Sequence, residues 1–104
     1  MSDTTFGKLI SEARKTKGLS QKQLASMVTR EDGQAISPQY LNDIERDRRL
    51  PASEVINELS KHLGISPNYL HLLARKVPDD LPVGKLKEAD VERLMVAFRQ
   101  KLAK

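Results

Sequence analysis

The sequence predicts an all-α fold, a bundle of five short helices followed by a separate amphipathic helix. Two observations carry this expectation. Apolar residues recur at steps of three and four along most of the chain, the period of a helix with one buried face, and no stretch alternates as a strand would. The connections between those stretches are short and hold helix start and stop signals, so the helices pack mainly through local contacts.

Helix one begins near Phe6, with Leu9, Ile10 and Ala13 on its inner stripe. Thr4 and Thr5 are placed to cap its start. Arg14, Lys15 and Lys17 fall in the last turn, where cations complement the helix dipole, and Gly18 ends it. Helix two opens on Ser20-Gln21-Lys22-Gln23, a capping box in which the Ser20 hydroxyl and the Gln23 side chain each satisfy the other residue's backbone N–H. Its apolar face is Leu24, Ala25 and Val28, with Met27 alongside, and it fades toward the turn signal Asp32-Gly33.

Helix three starts at Ser37-Pro38, because serine is a good N-cap and a proline at the first helical position lacks an N–H that would go unpaired anyway. Tyr40, Leu41 and Ile44 form its inner side, and a charged segment from Glu45 to Arg49 follows. Helix four, about residues 52–63, carries Val55, Ile56, Leu59 and Leu63 on one stripe and closes at Gly64. Ser66-Pro67 opens helix five, with Tyr69, Leu70, Leu72 and Leu73, which stops before Pro78. The two tyrosines sit at apolar helical positions and are expected to pack in the core with their hydroxyls at the surface.

This divides the chain into a domain of residues 1–76, a linker of residues 77–85 containing Pro78 and Pro82, and a C-terminal helix within residues 86–104. Val91, Leu94, Met95, Phe98 and Leu102 form an apolar stripe on that last helix. The stripe has three candidate destinations: its own domain, a second copy of the chain, or another protein.

Composition narrows the function. With 104 residues, 38% hydrophobic and 31% charged, the chain suits one soluble domain with an appendage and an aliphatic core. A formal net charge of +4 weakly favours polyanionic partners. Cysteine is absent, which removes disulfides, thiolate metal sites and a cysteine nucleophile, and suits a reducing, cytoplasmic location. No apolar run is long enough to span a membrane. His62 and His71 lack further ligands at metal spacing and a recognisable triad, so neither metal, cofactor nor enzymatic activity is expected.

The informative unit is the succession of capped helix, turn, capped helix and basic segment over residues 20–47 and just beyond. Two helices joined this way place the second in the major groove of DNA, with its first residues facing the bases. Those residues are Ser37, Pro38, Gln39 and Tyr40. The Gln39 amide offers a donor and an acceptor that match the N6 and N7 edge of adenine. Asn42 and Asp43, one turn on, are read as lying opposite Leu41 and Ile44, and Asp43 suits the cytosine amino group.

Arg14, Lys17-Gly18-Leu19-Ser20-Gln21, Leu24-Ala25, Ile36-Ser37, Tyr40-Leu41, Ile44-Glu45-Arg46 and Leu63-Gly64-Ile65-Ser66, in that order, resemble the phage repressor and Cro (XRE-type) helix-turn-helix family. The resemblance covers about residues 6–75 and implies a five-helix lambda-repressor-like DNA-binding bundle. It further implies that Gln21 binds a phosphate, that Ser37, Pro38, Gln39 and Asp43 face bases, and that Arg46, Arg48 and Arg49 grip the backbone. Tyr40 is a further candidate for a phosphate. Arg14 and Glu45 match a family pair read as a structural ion pair between two helices.

Two departures stand out. Ser26 to Ala35 make the turn longer than the family's, which either extends helix two or forms a loop carrying Arg30 toward phosphate. Asp47 replaces the glycine or asparagine common after the Glu-Arg pair, which points to a different local cap. The expected function is a homodimeric regulator of transcription, a repressor on a palindromic operator in double-stranded DNA, with the C-terminal stripe as the dimer contact. The alternative is an antitoxin or protein-interaction module that also binds DNA and takes its protein partner through the C-terminal region, including Pro78-Asp79-Asp80-Leu81-Pro82.

Overall fold

A computed structural model describes residues 4–74 and 85–103, so nearly all of the expected linker lies outside the described residues. They form six helices: α1 (Phe6–Thr16), α2 (Gln21–Met27), α3 (Pro38–Glu45), α4 (Ser53–Leu63), α5 (Pro67–Leu73) and α6 (Glu88–Leu102). The all-α expectation holds, and each start read from local chemistry is seen in the geometry. The Thr5, Ser20 and Ser37 hydroxyls accept from the backbone N–H three residues on, at 3.2, 3.0 and 3.0 Å. The capping box closes with the Ser20 N–H donating to Gln23 Oε1 at 2.8 Å. Gly64 ends α4 in the left-handed conformation that a side chain disfavours.

The first five helices share one aliphatic core in which Ile10, Leu24, Leu41, Ile44, Ile56, Leu59 and Leu70 are fully buried. α3 lies at its centre, packed on both α1 and α2, while α4 packs on α1 and α5. The approach of α1 to α3 is close because Gly7 has no side chain. A Cβ there would lie 2.5 Å from the Glu45 carbonyl oxygen and 2.6 Å from that of Ile44.

One expectation about the core is corrected. Tyr69 is 45% exposed rather than packed in the core, and Leu72 is 59% exposed. Around the seven-residue α5 only Leu70, His71 and Ala74 turn fully inward, and one helical turn separates Leu70 from Ala74, so positions 69 and 72 fall to the outside. His71 takes the place a hydrophobe would have held; its Nε2 lies 3.0 Å from Asn57 Oδ1.

The long connection after α2 neither extends that helix nor wanders. Val28 leaves the helix at φ −101°, ψ 117°, and Thr29 pairs with Ala35 in an antiparallel bridge. The Ile36 N–H donates to the Val28 carbonyl at 2.9 Å and the Arg30 N–H to the Gln34 carbonyl at 2.8 Å, which makes a miniature hairpin. Gly33, at φ +83°, turns its tip. Glu58 of α4 ties the hairpin's base to the bundle, accepting from the Thr29 hydroxyl at 3.0 Å.

Candidate nucleic-acid interface

α3 presents two different surfaces. Leu41 and Ile44 fill the core, while Ser37, Pro38 and Gln39 at its start are exposed. A helix whose first turn projects from the surface offers side chains and unpaired N–H groups to a ligand in front of it.

The angle at which α3 is held is set by a buried polar network. Arg14 of α1 donates from Nε to Glu45 Oε2 at 2.7 Å and from Nη2 to Oε1 at 3.1 Å. Its Nη1 donates to the Leu19 carbonyl at 2.7 Å, so the guanidinium joins α1, the turn before α2 and the end of α3. Gln21 adds the third helix: its Nε2 donates to Glu45 Oε1 at 3.1 Å and to Asn42 Oδ1 at 3.2 Å. With side chains 11% and 5% exposed, Arg14 and Glu45 form an ion pair whose geometry is fixed by several bonds at once.

Asn42 therefore does not lie opposite the core face; it is half-buried against α2. One turn of helix sets it beside Gln21 because α2 and α3 cross there. Its carbonyl is occupied, which leaves the Nδ2 donors as the part offered outward. Asp43 is also partly covered: Oδ1 accepts from Gln39 Nε2 at 3.2 Å and lies 3.7 Å from Arg48 Nη1. Gln39 keeps its Oε1 and one N–H, an acceptor and a donor side by side.

The arginines flank this surface. Arg46 caps the end of α3 and is exposed, Arg48 leans back toward Asp43, and the Arg49 guanidinium lies 5.3 Å from the centre of the Tyr40 ring. That stacking places a cation beside the first turn of α3. Arg30 sits differently. It is bound within its own hairpin, with Nη2 2.9 Å from Asp32 Oδ2, and Glu31 adds another carboxylate to the tip. The Gln34 backbone N–H and Arg30 together hold the Asp32 carboxyl below its ordinary pKa.

Residues that sequence reasoning left without a role complete the scaffold. Asp47 has φ 59° and accepts from the Gly7 N–H at 2.8 Å and the Thr5 hydroxyl at 2.6 Å, so a residue following α3 caps the start of α1. The Asp47 substitution was legible as a departure; its partner, forty residues away, was not.

A helix-turn-helix family profile matches residues 10–70, more than half of the chain. The chain belongs to the helix-turn-helix family, of the phage-repressor (XRE) type. Members of this family are DNA-binding regulators. Among solved structures, this helix-turn-helix chain is similar to the P22 c2 repressor in complex with synthetic operator 9T, with 32% identity and a TM-score of 0.57 over 65% of this chain and 94% of that one. The clp gene regulator ClgR from Corynebacterium glutamicum shares the fold, with 22% identity and a TM-score of 0.52 over 95% of this chain and 92% of that one. SinR in its complex with SinI shares it too, with 24% identity and a TM-score of 0.52 over 92% of this chain and 81% of that one. Multiprotein-bridging factor 1 from Candida albicans is 35% identical over 63 residues, 61% of this chain but 38% of that protein, so the match spans little more than a third of its length.

No described helix is long and apolar enough to cross a membrane. Among the described residues no cluster of three potential metal ligands is present.

Proposed function

We propose that this chain is a sequence-specific DNA-binding transcriptional regulator, a repressor that occupies a palindromic operator as a homodimer and acts without catalysis. The observation that carries the reading is the exposed first turn of α3, locked in orientation by Arg14, Glu45 and Gln21 and flanked by Arg46, Arg48 and Arg49. Preorganised donors and acceptors on a rigid helix read base edges in the major groove, and adjacent cations bind phosphates. The P22 c2 repressor, similar over 94% of its solved chain, is bound to an operator in its structure.

In this reading Ser37, Pro38 and Gln39 face bases directly, Asn42 offers N–H donors, and Asp43 acts through the orientation it imposes on Gln39. Gln21 contributes to phosphate binding through the start of α2, since its side-chain donor is engaged with Asn42 and Glu45. Tyr40 and Arg49 form one stacked unit for a phosphate. Arg30 reaches phosphate only after leaving Asp32. The dimer forms through Val91, Leu94, Met95, Phe98 and Leu102 of α6, which places two recognition helices about 34 Å apart on one face of DNA.

Selection from random double-stranded DNA tests this reading. A palindromic consensus is expected; a uniform pool after several rounds would remove both specificity and dimer symmetry. A second reading, in which α6 receives a different protein as an antitoxin does, rests on the same exposed stripe. A stoichiometric second protein that copurifies and is lost on truncation before α6 would favour it.

A further inference from the structure

We propose that α6 pairs with α6 of a second copy in antiparallel orientation, an inference that rests on the homodimer reading above. None of the fifteen residues of α6 is buried, and Val91, Met95, Phe98 and Leu102 all lie open on it. Their steps of four, three and four residues are those of a coiled-coil seam, in which every core position meets the partner helix.

Charge on the helix decides the orientation. That seam places Glu92 and Arg99 along one flank and Leu94 and Lys101 along the other, with Glu88 in the seam itself at the first turn. In an antiparallel pair centred on the seam, Val91 meets Leu102 of the second copy and Met95 meets Phe98. Glu92 then faces Arg99 of the second copy, twice by symmetry, and Leu94 lies under the aliphatic stem of Lys101. Glu88 passes beyond the end of the opposite seam, into water.

A parallel pair fares worse. It sets Glu88 against Glu88 inside the seam and leaves Arg99 opposite Leu94, and its one compensating attraction is Lys87 to Glu92. Arg93 is already engaged, with Nη2 2.8 Å from Asp90 Oδ1, on the outer side of the helix. Acidic Glu88, Asp90 and Glu92 at one end and basic Arg99 and Lys101 at the other make each helix complementary to its own reversed copy, and antiparallel macrodipoles add to the preference. Two heptads are marginal in isolation, so pairing belongs to the whole chain.

The absence of cysteine from these 104 residues makes the orientation directly measurable in the intact chain. Val91→Cys and Leu102→Cys variants, mixed and oxidised, are expected to give a covalent dimer containing one of each, with neither variant cross-linking to itself. Glu92→Arg or Arg99→Glu alone is expected to weaken the dimer by about three- to tenfold, the scale of exposed charge pairs acting twice, and the two together to restore it. Self-linking of Val91→Cys, or no rescue in the double variant, overturns the antiparallel pairing while the homodimer stands. A sedimenting dimer in which no combination cross-links overturns α6 as the contact. A chain that remains monomeric at all concentrations overturns the homodimer reading and the pairing together.

Discussion

Arg14 and Glu45, thirty-one residues apart, meet through two side-chain hydrogen bonds of 2.7 and 3.1 Å, and this contact sets the angle between α1 and the end of α3. Both side chains are nearly out of water, so removing one partner strands a charge. Glu45→Ala is expected to destabilise the fold by about 3–5 kcal/mol, and Arg14→Lys by a large part of that, because an ammonium cannot span both carboxylate oxygens and the Leu19 carbonyl. Chemical denaturation measures the first effect. In DNA binding, both variants should lose affinity for the selected site even where they remain folded, because the contact that sets the angle of α3 is gone.

The Asp47 carboxylate and the Gly7 N–H make the second clasp between the same two helices. Three substitutions at position 47 separate conformation from capping. Asp47→Asn keeps the left-handed tolerance and part of the bonding; Asp47→Gly relieves the backbone but loses both bonds; Asp47→Ala loses the bonds and adds strain. Their unfolding free energies should fall in that order, with the alanine variant lowest by about 1–3 kcal/mol. Gly7→Ala should be at least as damaging, because its Cβ meets two backbone carbonyls that cannot rotate away.

The hairpin between α2 and α3 is secured by a titrating group. The Thr29 hydroxyl, the Thr29 N–H and nearby Lys61 and His62 hold the Glu58 carboxyl below its ordinary value of 4.5. A depressed folded-state value means that the stabilisation is fully present above the unfolded-state value and disappears as pH falls through the folded one. Stability should therefore decline below about pH 4.5, and Glu58→Gln should flatten that part of the profile while lowering stability at neutral pH. Thermal midpoints of both proteins between pH 3 and 7 would show it; parallel curves would mean that Glu58 does not hold the hairpin.

What the sequence revealed, and what it concealed, follows from the distance over which each feature acts. The Ser20 box and the Ser37 and Ser66 caps involve neighbours three residues apart, and all were legible. The Arg14–Glu45 pair was legible only through its resemblance to a family arrangement. Gln21 looked like a phosphate ligand, yet its donor turns to Asn42 and Glu45, 21 and 24 positions away, which no periodicity reveals. Asp32-Gly33 announced a turn, but the bond that ties Thr29 to Glu58 of α4 spans 29 positions. Tyr69 had the spacing of a core residue on a helix too short to bury both edges of its stripe.

Gln39 and Asp43 provide the sharpest expectation for recognition. Asp43 Oδ1 takes one N–H of the Gln39 amide, which leaves the second N–H and Oε1 presented together, the pattern that matches adenine. Gln39→Ala should relax the preference at one base position by about 1–3 kcal/mol and leave other positions alone. Asp43→Ala frees the amide to rotate, so it should blur the same base position without creating a new preference at a second one. If Asp43→Ala instead relaxes a neighbouring position, the carboxylate reads a base itself. Arg46→Ala is the control: an exposed cation at the end of α3, away from Asp43, should weaken every sequence alike and lower the salt slope by about one, since a phosphate contact carries no base information. Titration of each variant against the selected site and its single-base variants, at two salt concentrations, separates orientation, base reading and backbone grip in one data set.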